Sequence, residues 1–280
     1  MKGAARARRG TMNRTRQRST FRAALALAVA LACAGGCRPV ESAMPVDTPP
    51  TAAQWQAFAA RRIVFGHQSV GRNILGGVAA LAAGAGVDLP VTETREGAAA
   101  PGIAHFGVGA NGDPLGKIRD FAAVMDGPAA AGADIALLKL CYIDFSGAAD
   151  PAVVAAAYGD TLAQLQQRHP GTIFVAVTAP LTTVQSGPKA LVKKLLGRDP
   201  DGQAENARRE AFNAVLRARF GAEGRLFDVA ALESGGGGAL NPALSSDGGH
   251  LNDAGARLVA ERFVAFLAGL PVAGNGTKAP

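Results

Sequence analysis

Two short stretches of this 280-residue chain hold residue types that can do nucleophilic chemistry. The first, Gly66-His67-Gln68-Ser69-Val70-Gly71, sets a serine in a Gly-flanked turn after the apolar run Arg62-Ile63-Val64-Phe65. A serine in such a turn is exposed, and its hydroxyl lies beside backbone N–H groups at a helix N-terminus, which can stabilise an oxyanion. The same position also suits a serine that merely caps a helix. The second stretch, Asp247-Gly248-Gly249-His250-Leu251-Asn252, precedes a helical pattern that Asn252 can cap. An Asp and a His three residues apart across a Gly-Gly turn can place the carboxylate on the imidazole Nδ1–H. That fixes the tautomer and leaves Nε2 as a general base.

These residues need elements to position them. Arg62-Ile63-Val64-Phe65, Asp134 to Cys141, Thr172 to Thr178 and, more weakly, Arg225 to Val229 are apolar runs of strand length; Val87 to Thr92 supplies a further one. The central runs are nearly continuous, as expected when both faces of a sheet are covered. Helical patterns follow Gly66 through Ala83 and recur at about 114–126, 151–168, 203–220 and 252–268. Strand-helix alternation predicts right-handed crossovers and a parallel sheet, here a three-layer α/β/α domain with five parallel strands. Ligands of such sheets bind at the carboxyl ends of the strands, where Ser69 and the Asp247–His250 turn are expected. Residues 235–238 read as a Gly loop and 180–202 as a longer polar and basic excursion.

Ser69 after the first strand, with Asp247-x-x-His250 before the C-terminal helix, resembles the SGNH/GDSL hydrolase superfamily. Asn206-x-x-Arg209-x-x-x-Asn213-x-x-Leu216 and Arg225-Leu226-Phe227-Asp228 are similar to the penultimate helix and last strand of many members. The resemblance implies a flavodoxin-like α/β/α fold over nearly the whole mature domain. It also implies hydrolysis of an ester, such as an acyl group on a carbohydrate or lipid, by nucleophilic Ser69 with His250 as base and Asp247 as its partner. The expected oxyanion donors are the Ser69 amide and a Gly of the 107–112 loop, Gly109 or Gly112.

The motifs depart from the family's. His67-Gln68-Ser69 stands where Gly-Asp-Ser is usual. The stretch Lys139-Leu140-Cys141-Tyr142-Ile143-Asp144 keeps the Asp of Gly-x-Asn-Asp but has no Asn. Asn111, Tyr142, His67 or Lys139 are the residues that could supply the missing donor. His67, Gln68, Lys139, Tyr142, Asp144 and Thr178 are the expected lining of the cleft. Gly107-x-Gly-x-x-Gly112 matches a dinucleotide fingerprint only on paper, because no convincing strand precedes it. Cys141, at the end of an apolar strand, reads as a small core residue. Lys193-Lys194 reads as a solvated helix face.

Two other classes stay open: a ligand- or glycan-binding lipoprotein on the same fold without turnover, and a metal-dependent hydrolase using His67, Asp247 and His250. No His-x-x-x-His or Cys pair supports a metal, and the expectation is no metal and no organic cofactor.

The formal charge of +7 invites a nucleic-acid reading that its distribution removes. Residues 1–37 hold eight basic and no acidic residues, and the remaining 243 carry 21 basic against 22 acidic. An excess confined to one terminus is not the footprint of a DNA-binding domain. Instead, the basic stretch to Arg22, the short apolar run to Ala32 and the small residues after it form an export-signal pattern. Ala34-Gly35-Gly36-Cys37 resembles a lipobox that would lipidate Cys37. The expected organisation is a signal over 1–37, a flexible tether over 38–54, the hydrolase-like domain over 55–270 and a disordered tail over 271–280. The expected product is an exported cell-envelope lipoprotein or secreted monomer, held to the membrane by its N-terminal lipid and acting on a small-molecule or glycan ester. With Cys33 in the signal and Cys37 as the anchor, Cys141 is left without a disulfide partner, so the core must hold itself together.

Overall fold

Alternating inward faces build the sheet at the centre of the computed structural model, which describes residues 48–271. Six parallel strands run in the order β2-β3-β1-β4-β5-β6. They are β1 (Arg62–His67), β2 (Val91–Glu93), β3 (Gly102–Gly107), β4 (Ile135–Lys139), β5 (Ile173–Val177) and β6 (Leu226–Phe227). Side chains of a strand point alternately to opposite faces. Ile63 and Phe65 therefore join Ile135, Leu137, Val175 and Val177 in one buried cluster. Val64, Ala136, Leu138, Phe174 and Ala176 lie in the other.

The first face is covered by α1 (Ala52–Ala59), α2 (Val70–Gly84) and α8 (Asp253–Ala268). The second is covered by α3 (Pro114–Met125), α4 (Pro151–Arg168) and α6 (Gln203–Phe220). Two shorter helices, α5 (Pro188–Leu195) and α7 (Val229–Ser234), complete the chain order. The α2–α8 packing needs Gly77: a Cβ there would sit 2.5 Å from the Ala256 carbonyl oxygen.

The three-layer parallel architecture stands, with one strand more than the five expected. The missed strand is β3, whose Gly102, Ala104, His105 and Gly107 give it little β-propensity. It forms because it lies between β1 and β2 and pairs with β1 along its whole length, Arg62 opposite Gly102 through His67 opposite Gly107. Burial of Ile103 and Phe106 supplies what propensity lacks. The strand expected over Val87 to Thr92 pairs only at Val91–Glu93.

The first helix begins inside the stretch read as a tether, where Thr51 and Gln54 form a capping box. The signal pattern, Cys37 and residues 272–280 lie outside the described residues.

Candidate active site

Strand β1 ends at His67, and two residues later the chain turns sharply into α2. Ser69 sits in that turn at φ +49°, the only non-glycine residue with positive φ among those described. A side chain held there costs about 1–3 kcal/mol and persists only where the surroundings enforce it. Ser69 holds the N-cap position of α2, yet its side chain makes no capping bond. Its hydroxyl is instead in a short hydrogen bond with His250 Nε2, so the capping alternative fails.

His250 Nδ1 lies 2.6 Å from Asp247 Oδ2. Asp247 Oδ1 accepts from the backbone N–H groups of His250 at 2.8 Å and Gly249 at 2.9 Å. The His250 backbone N–H, its ring and the Gly249 N–H together hold the Asp247 carboxyl well below the usual range, so it stays ionised. Gly248 makes the intervening turn at φ +91°. The turn is pinned from outside: Thr183 N–H donates to the Gly248 carbonyl, and the Ser245 hydroxyl to that of His250. One line of contacts therefore runs from serine to imidazole to carboxylate at the carboxyl edge of the sheet.

No family model and no curated protein sequence matches the chain. Among solved structures, a GDSL-like lipase from Bacteroides thetaiotaomicron is similar with TM-score 0.51 at 13% identity, over 80% of this chain and 93% of that one. The chain has the SGNH hydrolase fold. A lipase/acylhydrolase from Enterococcus faecalis is also similar, with TM-score 0.48, 14% identity and coverage of 75% and 96%.

In this version of the SGNH fold the loop after β3, residues 107–113, is fastened on every side. Gln68 Nε2 donates to the carbonyls of Val108 at 2.9 Å and Gly109 at 3.0 Å, which holds the loop beside the serine turn. Arg95 donates to the Gly107 carbonyl and pairs with Asp120. The Gly109 N–H donates to Asp120 Oδ2 at 2.9 Å, and the Gly112 N–H to Asp144 Oδ1 at 2.9 Å. Neither glycine amide is therefore available as the oxyanion donor expected of it.

The same bonds settle the Gly-rich fingerprint. A strand does precede it, contrary to expectation, but carboxylates occupy the amides that a phosphate would need.

Asn111 remains. Lys117 Nζ lies 2.8 Å from Asn111 Oδ1 and 2.8 and 2.9 Å from the two Asp144 oxygens. An ammonium only donates, so the amide oxygen must face Lys117 and the Asn111 NH2 is the free end. Lys117 and Asp144 are both wholly buried. Asp144 thus anchors the loop from within and does not line the cleft.

Three more expected cleft residues lie elsewhere. His67 is 1% exposed and turns its Nε2 to His105 Nδ1 at 3.2 Å. Burial, with Lys139 nearby, pushes its pKa down to about 3, so the ring is neutral; among the described residues it forms no group of three ligating side chains with Asp247 and His250. Lys139 is fully buried, its Nζ on the Leu140 carbonyl at 3.2 Å and 3.8 Å from Cys141 Sγ. Thr178 is fully buried between Asp228 and the Ala230 N–H. Tyr142 does reach the site: its ring meets that of His250 at 5.7 Å, nearly edge-on.

Glu233 on α7 was not singled out in the sequence. It is fully buried, accepts from the Leu181 N–H, and its Oε2 has no hydrogen-bond partner. Burial pushes its carboxyl up to about 8. A folded pKa above the unfolded value means that its stabilising contribution is complete below about pH 4.5 and is lost as pH rises through about 8. Glu233→Gln keeps the acceptor for Leu181 and removes that dependence. Its melting temperature is expected to gain on the native protein steadily across this window; parallel thermal-unfolding curves would exclude the effect.

Proposed function

We propose that this chain is a serine ester hydrolase of the SGNH/GDSL superfamily, working through Ser69, His250 and Asp247. The observation that carries the reading is the strained Ser69, whose hydroxyl gives up the helix cap for the Nε2 of an imidazole that Asp247 orients. In the first step Ser69 Oγ attacks the ester carbonyl carbon while His250 Nε2 takes the hydroxyl proton, and the carbonyl electrons move onto oxygen. Asp247 holds the tautomer and stabilises the imidazolium. As the tetrahedral intermediate collapses, His250 gives the proton to the departing alcohol and an acyl-serine forms. Water, deprotonated by His250, then releases the acid and restores Ser69.

The oxyanion is held by the Ser69 backbone N–H and the free NH2 of Asn111, which takes the place of the absent Asn before Asp144. Asn111→Ala is expected to lower kcat for p-nitrophenyl acetate about 10²–10³-fold, with KM little changed. A change confined to KM would remove Asn111 from this role.

The reading itself is tested by treating the protein with a fluorophosphonate and following p-nitrophenyl acetate turnover with and without chelator. Stoichiometric labelling mapped to Ser69, with turnover indifferent to chelator, is the expected result. Folded protein with neither labelling nor turnover would favour the binding lipoprotein. Turnover lost on chelation would favour a metal enzyme.

The proposal includes export through residues 1–37 and lipid attachment at Cys37, which retention of Cys37→Ser in the soluble fraction would test.

A further inference from the structure

Helix α5 is built unlike the others. Of its residues only Ala190 is buried, while Leu191, Val192 and Leu195, and Leu196 just after them, are 60%, 54%, 79% and 68% exposed. At about 100° per residue these four fall within an arc of roughly 140°, and Ala190 lies on the opposite side, toward the body. The apolar stripe therefore faces outward. Lys189 borders it on one side and Lys194 on the other, and Arg198 follows. Lys193 pairs with Asp201 at 2.6 Å, whereas Lys189, Lys194 and Arg198 have no ion-pair partner among the described residues.

The excursion that carries this helix springs from the carboxyl end of β5. The Gln185 N–H donates to the Asp201 carbonyl and closes its base, and Thr183 beside it holds the Gly248 carbonyl. The base of the excursion thus lies at the edge of the sheet where Ser69 and His250 meet.

We propose that α5 is a docking helix for an anionic phospholipid surface, lying in the plane of the interface with Leu191, Val192, Leu195 and Leu196 in the acyl boundary. A short helix whose apolar face is bordered by lysines is the form such a surface selects, because the aliphatic stems follow the apolar face while the ammonium groups reach the headgroups. Eight residues are far too few to cross a bilayer. Among the described residues no helix is long and apolar enough to do so. Charge decides the occupant: the three unpaired cations that border or follow the stripe complement anionic headgroups.

The test uses the full chain carrying Leu195→Trp, with the native chain as control for the buried Trp55. Vesicles are phosphatidylcholine with about a third phosphatidylglycerol, with and without brominated acyl chains. Every chain shares the same N-terminus, so differences between chains report α5 alone. The expected result is quenching of the introduced indole by brominated lipid, much weaker in pure phosphatidylcholine. Leu191→Ser with Leu195→Ser is expected to reduce vesicle partitioning roughly tenfold or more. Lys189→Gln and Lys194→Gln are each expected to reduce it about fivefold in anionic vesicles. An unquenched indole, or a double serine variant that partitions like the native chain, overturns the proposal. So does a serine variant whose only change is lost self-association, which would make the stripe a contact between copies.

Discussion

Asp247→Asn is expected to lower kcat for p-nitrophenyl acetate about 10⁴-fold while leaving KM and the melting temperature nearly unchanged. The reason lies in which atoms the carboxylate serves. Oδ1 accepts two backbone N–H groups, and an amide oxygen can keep both. Oδ2 faces His250 Nδ1, and in the variant an NH2 group stands there. Because that group donates, Nδ1 must become the acceptor and the ring proton moves to Nε2. An Nε2 that carries a proton cannot take one from Ser69. The loop is half-exposed and keeps its backbone bonds, so folding is little affected, and in the proposed mechanism Asp247 acts only through His250, so KM is expected to be spared.

Ser69→Ala removes the proposed nucleophile and is expected to cost about 10⁶ in kcat. The double variant is expected to be no slower than Ser69→Ala alone, because in the proposed mechanism the three residues act as one unit. Steady-state kinetics of the three variants, with melting temperatures measured alongside, check this. An Asp247→Asn enzyme within about tenfold of native would remove the carboxylate from the mechanism.

How much of this was legible beforehand depended on whether a residue's role is local. The serine turn and the Asp-x-x-His turn are each a few residues long, and type and spacing were enough to find them. Helices over 151–168 and 203–220 announce themselves by their own periodicity and begin and end as expected. Strand β3 does not, because pairing on both sides holds it and its own propensity does not. The roles assigned by adjacency to the site also failed: His67, Lys139 and Thr178 sit at strand ends, but their side chains go into the interior. Whether an end-of-strand residue faces the cleft or the core depends on the pleat and on the helix above it, neither of which spacing reveals.

The sequence of α3 carries a further signal. Pro114, Lys117, Ile118, Phe121, Val124 and Met125 form the buried face of α3. A lysine in the apolar stripe of a helix is rarely tolerated without a buried partner. Its partner, Asp144, reads in the sequence as the kept Asp of a family motif and as a cleft residue, not as the counter-charge of a helix lysine.

That pair is the basis of the second large effect. Lys117→Met is expected to destabilise the fold by about 3–5 kcal/mol, a fall of roughly 6–20 °C in melting temperature for a domain of this size. The variant leaves the Asp144 carboxylate buried with only the backbone N–H groups of Cys141 at 2.7 Å and Gly112 at 2.9 Å. Two neutral donors do not replace an ammonium bound to both oxygens. Asp144→Asn keeps one oxygen for Lys117 but removes the negative charge, leaving a buried ammonium without a counter-charge, and a comparable loss is expected. The double variant, with both charges gone, is expected to lose clearly less than the sum, since neither charge is then stranded. The activity of Lys117→Met separates anchoring from stability. Lys117 is what turns the Asn111 amide, so even well below its melting temperature Lys117→Met should show the reduced kcat and unchanged KM of Asn111→Ala. Full activity in folded Lys117→Met would mean that the loop keeps its shape through Gln68, Arg95 and Asp120 alone, and that the buried pair serves folding without serving the site.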